Sequence, residues 1–201
     1  MKRTCKHCGK TKDVSLFRRY DKMHYENTCK KCYNKIRQDI RRVQQVTRYN
    51  IKLEKFKRIN SPAILGYAAG IIDGEGCIFI SRGKPRGLRL TPQYTLKIAV
   101  GMANPSAVKL LHKAFGGSLI KRTNRQYKPI YRWELSSIEA EGFLRLLLHY
   151  LIVKHKEARL GIAFRDHLNA YIRKNGRIID VKEQKIRETF KLKMEGLKNV
   201  Q

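Results

Sequence analysis

Acidic residues are scarce in this chain. Its 201 residues hold 16 Asp and Glu against 45 Lys and Arg, for a formal net charge of +29. That imbalance excludes a surface that neutralises itself. Such an excess repels itself unless a polyanion accepts it, and nucleic acid is the usual partner because each neutralised phosphate releases counterions. Long apolar runs are missing too. The best, from Phe143 to Val153, is broken by Arg145 and His149. It is too short to cross a bilayer and reads as a buried helix. The basic residues are spread along the chain, not gathered in one amphipathic stripe, which argues against a membrane surface as the partner. The opening "MKRTCKHCGK" lacks an apolar segment after its basic start. No signal peptide is expected, so an intracellular, non-secreted protein with reduced thiols is expected.

Gly and Pro are absent from Cys32 to Asn60. That leaves a helix as the natural reading, and Ile36, Ile40, Val43, Val46 and Tyr49 recur at helical steps. Arg37, Arg41, Arg42 and Arg48 make the arm basic. Its basic face either tracks DNA or is a solvated linker. Hydrophobic residues make up 42% of the chain, enough for one substantial core and a smaller appendage.

Five cysteines are present, and four fall in two C-x2-C pairs, Cys5 with Cys8 and Cys29 with Cys32. In a reducing compartment, two such knuckles about twenty residues apart read as one tetrahedral structural Zn²⁺ site. A segment this short cannot bury enough apolar surface alone, so the metal would supply its folding energy. Lys2, Arg3, Arg18, Arg19, Lys30 and Lys31 make it a candidate clamp on phosphates. The pattern loosely resembles the small four-cysteine modules beside phage nuclease domains.

The stretch "GYAAGIIDGEGCIF", Gly66 to Phe79, gathers two carboxylates and four glycines in this basic chain. Ser61 and Pro62 mark a helix start. Gly66 and Gly70 lie four residues apart on one face, with Ala63 and Ala69 close by. A glycine inside a helix costs about 1 kcal/mol against alanine, so two of them suit a face that meets another helix closely. Asp73-Gly74-Glu75-Gly76 reads as a sharp helix end, followed by a strand from Cys77 to Ser81. From the residues alone, these carboxylates either hold a divalent cation or dress a turn.

"AAGIIDGEG", Ala68 to Gly76, resembles the nine-residue signature of LAGLIDADG homing endonucleases. The similarity runs over roughly Ala63 to Phe164. It implies an α+β domain of order αββαββα, with Glu75 as the catalytic carboxylate. Glu75 and the Gly76 carbonyl would hold Mg²⁺, and Asp73 would be structural at the helix end. "YLIVKHKEA", Tyr150 to Ala158, is similar to a family segment in which Lys154 would lie near the scissile phosphates. Relatives often carry a polar, water-positioning residue where this chain has Met102. One copy of the signature implies a homodimer meeting through Gly66, Ala69, Gly70 and Asp73, and a palindromic or nearly palindromic target.

The remaining pattern fits that order. Strands are expected at Tyr94–Val100, Ser118–Arg122 and Ile130–Ser136. Helices are expected from Asn104 to Phe115, stopped by Gly116-Gly117, and from Ile138 to Ile152. A charged helical tail follows from Ile178. Alternation is expected to turn Ser81, Gln93, Thr95, Lys97, Lys121, Thr123, Arg132 and Glu134 toward a DNA groove. Trp133 is expected on the core side, and Cys77 as a small packed strand residue. The expected division is a zinc module at 1–34, a basic helical linker at 35–60, an endonuclease domain at 61–175 and a helical tail at 176–201. The expected function is a Mg²⁺-dependent, sequence-specific double-strand DNA endonuclease. The alternative on the same scaffold is a non-cleaving DNA-binding regulator or an RNA-binding splicing helper.

Overall fold

The structure is a computed structural model, and it describes residues 1–20, 24–85, 87, 90–124, 127–171 and 179–198. The tail's Ile178, the last three residues, and Arg86, Leu88 and Arg89 of the basic loop lie outside them. The chain divides into two compact units, Met1–Ile51 and Lys52–Gln201.

The first unit is built from two short antiparallel ribbons. Strand β1 (Lys2–Thr4) pairs with β2 (Thr11–Asp13), and β3 (Phe17–Arg19) with β4 (Tyr25–Cys29). Its buried centre is small: Cys5, Phe17, Cys29 and Cys32, with Cys8 and Tyr25 packed against them. Helix α1 (Lys30–Lys57) begins directly after Cys29. The helical period read from the sequence is therefore real. Yet Ile40, Val43 and Val46 on α1 are all more than half exposed.

In the second unit, α2 (Pro62–Glu75) leads straight into β5 (Gly76–Gly83). Then come β6 (Gln93–Met102), α3 (Pro105–Phe115), β7 (Ser118–Asn124) and β8 (Tyr127–Ser136). Helices α4 (Ile138–Leu147), α5 (His155–Ala170) and α6 (Val181–Lys198) follow. The four strands form an antiparallel sheet in the order β5-β6-β8-β7. This is the expected α+β, αββαββα arrangement with helices added after it. Alternation explains which face is buried. Ile78, Ile80, Leu96, Ile98, Val100, Trp133 and Leu135 turn to the helices and are almost fully buried. Trp133 packs edge-on against Phe143, 5.3 Å between ring centroids, and its Nε1 donates to the Gly116 carbonyl at 2.7 Å. Phe115 closes the cluster 4.8 Å from Phe143.

Two boundaries differ from the sequence reading, and a third agrees with it. Helix α2 does not turn out sharply through glycine. It stays helical to Glu75, and Gly76 takes an ordinary extended conformation at φ −79°, ψ 151°. Glycine is required at 76 for another reason: a Cβ there would lie 2.6 Å from the Ile72 carbonyl oxygen, because the strand leaves hard against the helix. Helix α4 stops at Leu147, not Ile152, and the chain reaches α5 through 148–154. At the end of α3 the expected glycine stop is present, with Gly116 at φ +73° and Gly117 at φ +86°, a conformation that L side chains resist.

Buried charge ties the added helices down. Glu141 of α4 is fully buried between Arg145, at 3.1 Å, and Arg165 of α5, at 3.2 Å. Glu183 and Arg187 of α6 pair at 2.6 Å, and His167 of α5 lies 3.0 Å from Glu183. These carboxylates need their partners, since an unpaired buried charge costs several kcal/mol, roughly 3–5 when one partner is lost.

Candidate nucleic-acid interface and metal centres

The face of the sheet turned away from the helices carries the candidate interface. The register places Ser81 opposite Thr95, Phe79 opposite Lys97, and Cys77 opposite Ala99. It places Ala99 opposite Glu134 and Gly101 opposite Arg132. Gln93 joins the same face opposite Gly83. Six of the eight expected groove residues, Ser81, Gln93, Thr95, Lys97, Arg132 and Glu134, thus share one surface.

The other two do not join it. On β7, Ser118 pairs with Glu134, Ile120 with Arg132 and Arg122 with Ile130. Lys121 therefore turns to the helix side, opposite Tyr131, with its ammonium 5.8 Å from that ring. The register breaks between Arg122 and Asn124, leaving Thr123 out of the ladder. Ile120 and Arg122 take the places expected for Lys121 and Thr123. The physical reason is one adjacent apolar pair, Leu119-Ile120, which fits either alternation. Only the packing of Leu119 beside Trp133 decides it.

Glu134 bridges two cations of this face, Lys97 at 2.6 Å and Arg132 at 3.1 Å. Burial alone would raise its carboxyl, but these two cations outweigh burial and hold it below the usual glutamate value. Ile120 and Ile130 stand about half exposed beside them.

The acidic end of α2 sits where β5 begins. Asp73 Oδ2 accepts from the Ile152 N–H at 2.8 Å, and Oδ1 from the Lys154 N–H at 2.9 Å. Asp73 is therefore engaged within its own chain, holding 152–154 against the end of α2. Two neighbouring amide protons find their acceptor there, which gives Asp73 a structural part at the helix end. Lys154 caps α5, and its Nζ donates to the Asp73 carbonyl oxygen. Glu75 is exposed and, among the described residues, has no hydrogen-bond or ion-pair partner. A carboxylate at the negative end of a helix is disfavoured by about 0.3–1 kcal/mol, so stability does not explain it. Met102, at the end of β6, pairs with Tyr131 and packs on the core.

The glycines of α2 form a bare ridge. Gly66, Gly70 and Gly74 are all exposed, and a Cβ at any of them would meet nothing within 4 Å. Ala69 is not on that ridge: with Ala68 and Ile72 it is buried in the core, because it projects about 100° from Gly70 around the helix. Gly74 completes the ridge where the sequence reading saw only a turn.

In the first unit, Cys5, Cys8, Cys29 and Cys32 bring their Sγ atoms within 4.8 Å of one another. Thiolates bound tetrahedrally to one zinc at ~2.3 Å would lie about 3.8 Å apart, so the cluster fits that metal. Gly9, at φ +66°, closes the first knuckle, with its N–H donating to the Cys5 carbonyl at 2.9 Å. The sulfurs have donors as well: the Cys29 N–H reaches Cys5 Sγ at 3.3 Å and Lys12 Nζ reaches Cys29 Sγ at 3.2 Å. The Cys29 amide, with the amides of Cys8 and His7, brings the Cys5 thiol down to about 6, whereas burial among the other sulfurs pushes Cys32 up to about 12. Cys77 lies outside this cluster. It is exposed on the open sheet face, not packed, and it receives the ammonium of Lys198 at 3.1 Å.

No family model matches the chain, and no curated protein matches it. Solved structures do. The chain is similar to the homing endonuclease I-CvuI in complex with the I-CreI target DNA, determined in the presence of magnesium with the DNA not cleaved. Identity is 20% over 66% of this chain and 80% of that one, with a TM-score of 0.55. It is also similar to the LAGLIDADG meganuclease I-AabMI bound to uncleaved DNA, at 17% identity over 67% of this chain and 46% of that one, with a TM-score of 0.52. The fold is that of the LAGLIDADG homing endonucleases. Among the described residues, no helix is long and apolar enough to cross a membrane.

Proposed function

We propose that this chain is a divalent-metal-dependent DNA endonuclease that acts as a homodimer on a palindromic or nearly palindromic duplex. The observation that carries the reading is Glu75. It is an exposed carboxylate that has no partner among the described residues, at the unfavourable end of a helix, beside a basic open sheet in a chain of net charge +29. Glu75, with the Gly76 carbonyl, would hold Mg²⁺, which when bound supplies Lewis acidity to the phosphodiester.

The other roles follow from the chain's own groups. Lys154, positioned by Asp73, offers a cation at the same end of α2. The ridge of Gly66, Gly70 and Gly74 would meet its counterpart on a second copy, bringing two Glu75 carboxylates to one duplex. Ser81, Gln93, Thr95, Lys97, Ile120, Arg122 and Arg132 would face base edges and phosphates, with Glu134 holding two of the cations in position. The division of labour is a zinc module at 1–34, a basic linker at 35–60, the nuclease domain at 61–175 and a tail at 176–201. The zinc module would add phosphate contacts outside the central target.

The test is selection of cleaved sites from a randomised duplex library with Mg²⁺, comparing wild type with Glu75→Gln. The expected result is cutting by wild type and a loss of at least about a hundredfold in the variant. Tight, magnesium-independent duplex binding without cutting would replace this reading with that of a regulator. Preference for RNA would replace it with that of a splicing helper.

A further inference from the structure

The C-terminal helix α6 has no part in the function proposed above, yet its last turn stands beside Glu75. Several contacts fix it there. Met194 is 1% exposed in the main core, and Phe190 packs 5.5 Å from Phe164 of α5. The Arg187–Glu183 pair is buried, and Glu188 accepts from the Tyr94 hydroxyl. So anchored, the helix runs beside β5 and its end reaches the open face of the sheet. There Lys198 Nζ lies 3.1 Å from Cys77 Sγ and 5.5 Å from the centre of the Phe79 ring.

A cavity of about 450 Å³ opens at this place, with Glu75, Ala99, Gly101, Arg132, Glu195 and Lys198 in its wall. Small side chains at Ala99 and Gly101 leave its floor low. Glu195 is paired with Lys191 at 2.9 Å and Arg132 with Glu134 at 3.1 Å. Lys198 differs from both. Among the described residues it has no carboxylate partner, and its ammonium rests on a thiol and an aromatic face. Those contacts fix its position without cancelling its charge.

We propose that Lys198 is a phosphate-binding residue that draws the phosphodiester of a bound duplex to Glu75. This rests on the endonuclease reading. In hydrolysis the phosphorus gains the hydroxyl of water, one ester P–O bond breaks with its electron pair, and the leaving oxygen takes up a proton. Lys198 moves no proton. It acts by charge on the non-bridging oxygens, as a lysine does at any phosphate.

The experiment uses the full chain with Lys198→Gln and Lys198→Arg on a duplex that wild type selects. Cleavage is followed with Mg²⁺, and binding is titrated against salt with Ca²⁺. The expected result for Lys198→Gln is cleavage slower by about tenfold or more. Its slope of log affinity against log salt should be shallower by about 0.9, the value of one phosphate contact. Lys198→Arg should keep both, and the melting temperature should stay at the wild-type value in both. A Gln variant with wild-type rate and slope overturns the proposal. So does one that cuts faster, which would make the end of α6 an obstruction. Wild type that neither binds nor cuts any duplex overturns the endonuclease reading and this proposal with it.

Discussion

Replacing Asp73 with alanine removes two acceptors from the joint between α2 and 152–154. One N–H, that of Ile152, is in an exposed position and water can replace the carboxylate. The other, that of Lys154, is partly buried. A charge-assisted hydrogen bond is worth about 1.5–3 kcal/mol and an ordinary one about 1. Discounting the exposed one heavily gives a loss of about 2 kcal/mol. In a domain of ~150 residues each kcal/mol moves the melting temperature by about 2–4 °C, so a fall of roughly 4–8 °C is expected. Thermal and urea denaturation of the full chain measure it. Asp73→Asn should recover less than half, since its amide group turns a donor toward one of the two N–H groups. The joint also positions Lys154, so cleavage should fall by more than the folded fraction does. Stability within about 0.5 kcal/mol of wild type for Asp73→Ala would refute this account of the joint.

The junction at Gly76 should be equally intolerant. A Cβ there meets the Ile72 carbonyl oxygen at 2.6 Å and Ile72 Cα at 2.7 Å, both backbone atoms, so Gly76→Ala should cost about 1–3 kcal/mol in urea titrations; an unchanged midpoint would contradict it. In the first unit, Cys29→Ser should lower bound zinc from one equivalent per chain by elemental analysis and loosen residues 1–29 to proteolysis, while the second unit keeps its melting transition. Glu134 sets an acid limb: its carboxyl is held down in the folded state, so its contribution is fully present above the ordinary glutamate range. It is lost as the pH falls through that range and below. Glu134→Gln should flatten the stability profile between neutral pH and ~3; an identical acid limb in the two proteins would remove Lys97 and Arg132 as its cause.

The helix and strand periods were legible because packing repeats them. Ile78, Ile80, Leu96 and Ile98 alternate in sequence and all reach the core. The four-cysteine cluster was equally legible, since two tight knuckles leave few ways to arrange four sulfurs. What escaped was decided between distant segments. The face of β7 hung on whether Leu119 or Ile120 met Trp133. The role of Asp73 lay in backbone amides some eighty residues away, which no local pattern announces. The two glycines after Asp73 suggested a turn, whereas the structure uses one for a smooth helix ridge and the other for a tight exit into β5. The charged tail gave no hint of Lys198, because the address of its ammonium is set by Met194 and Phe190 sinking into the core.

The position of α6 carries one more consequence. A four-strand sheet in the order β5-β6-β8-β7 has two rims, and α6 lies along the one formed by Gly76–Gly83. A chain ending before Val181 would bare that rim, an apolar ladder through Ile78, Phe79 and Ile80. Unpaired strands of this kind recruit strands from other molecules. Shortened versions of this protein should therefore gel or precipitate during purification, even when the whole four-strand sheet and helices α2 to α5 are retained.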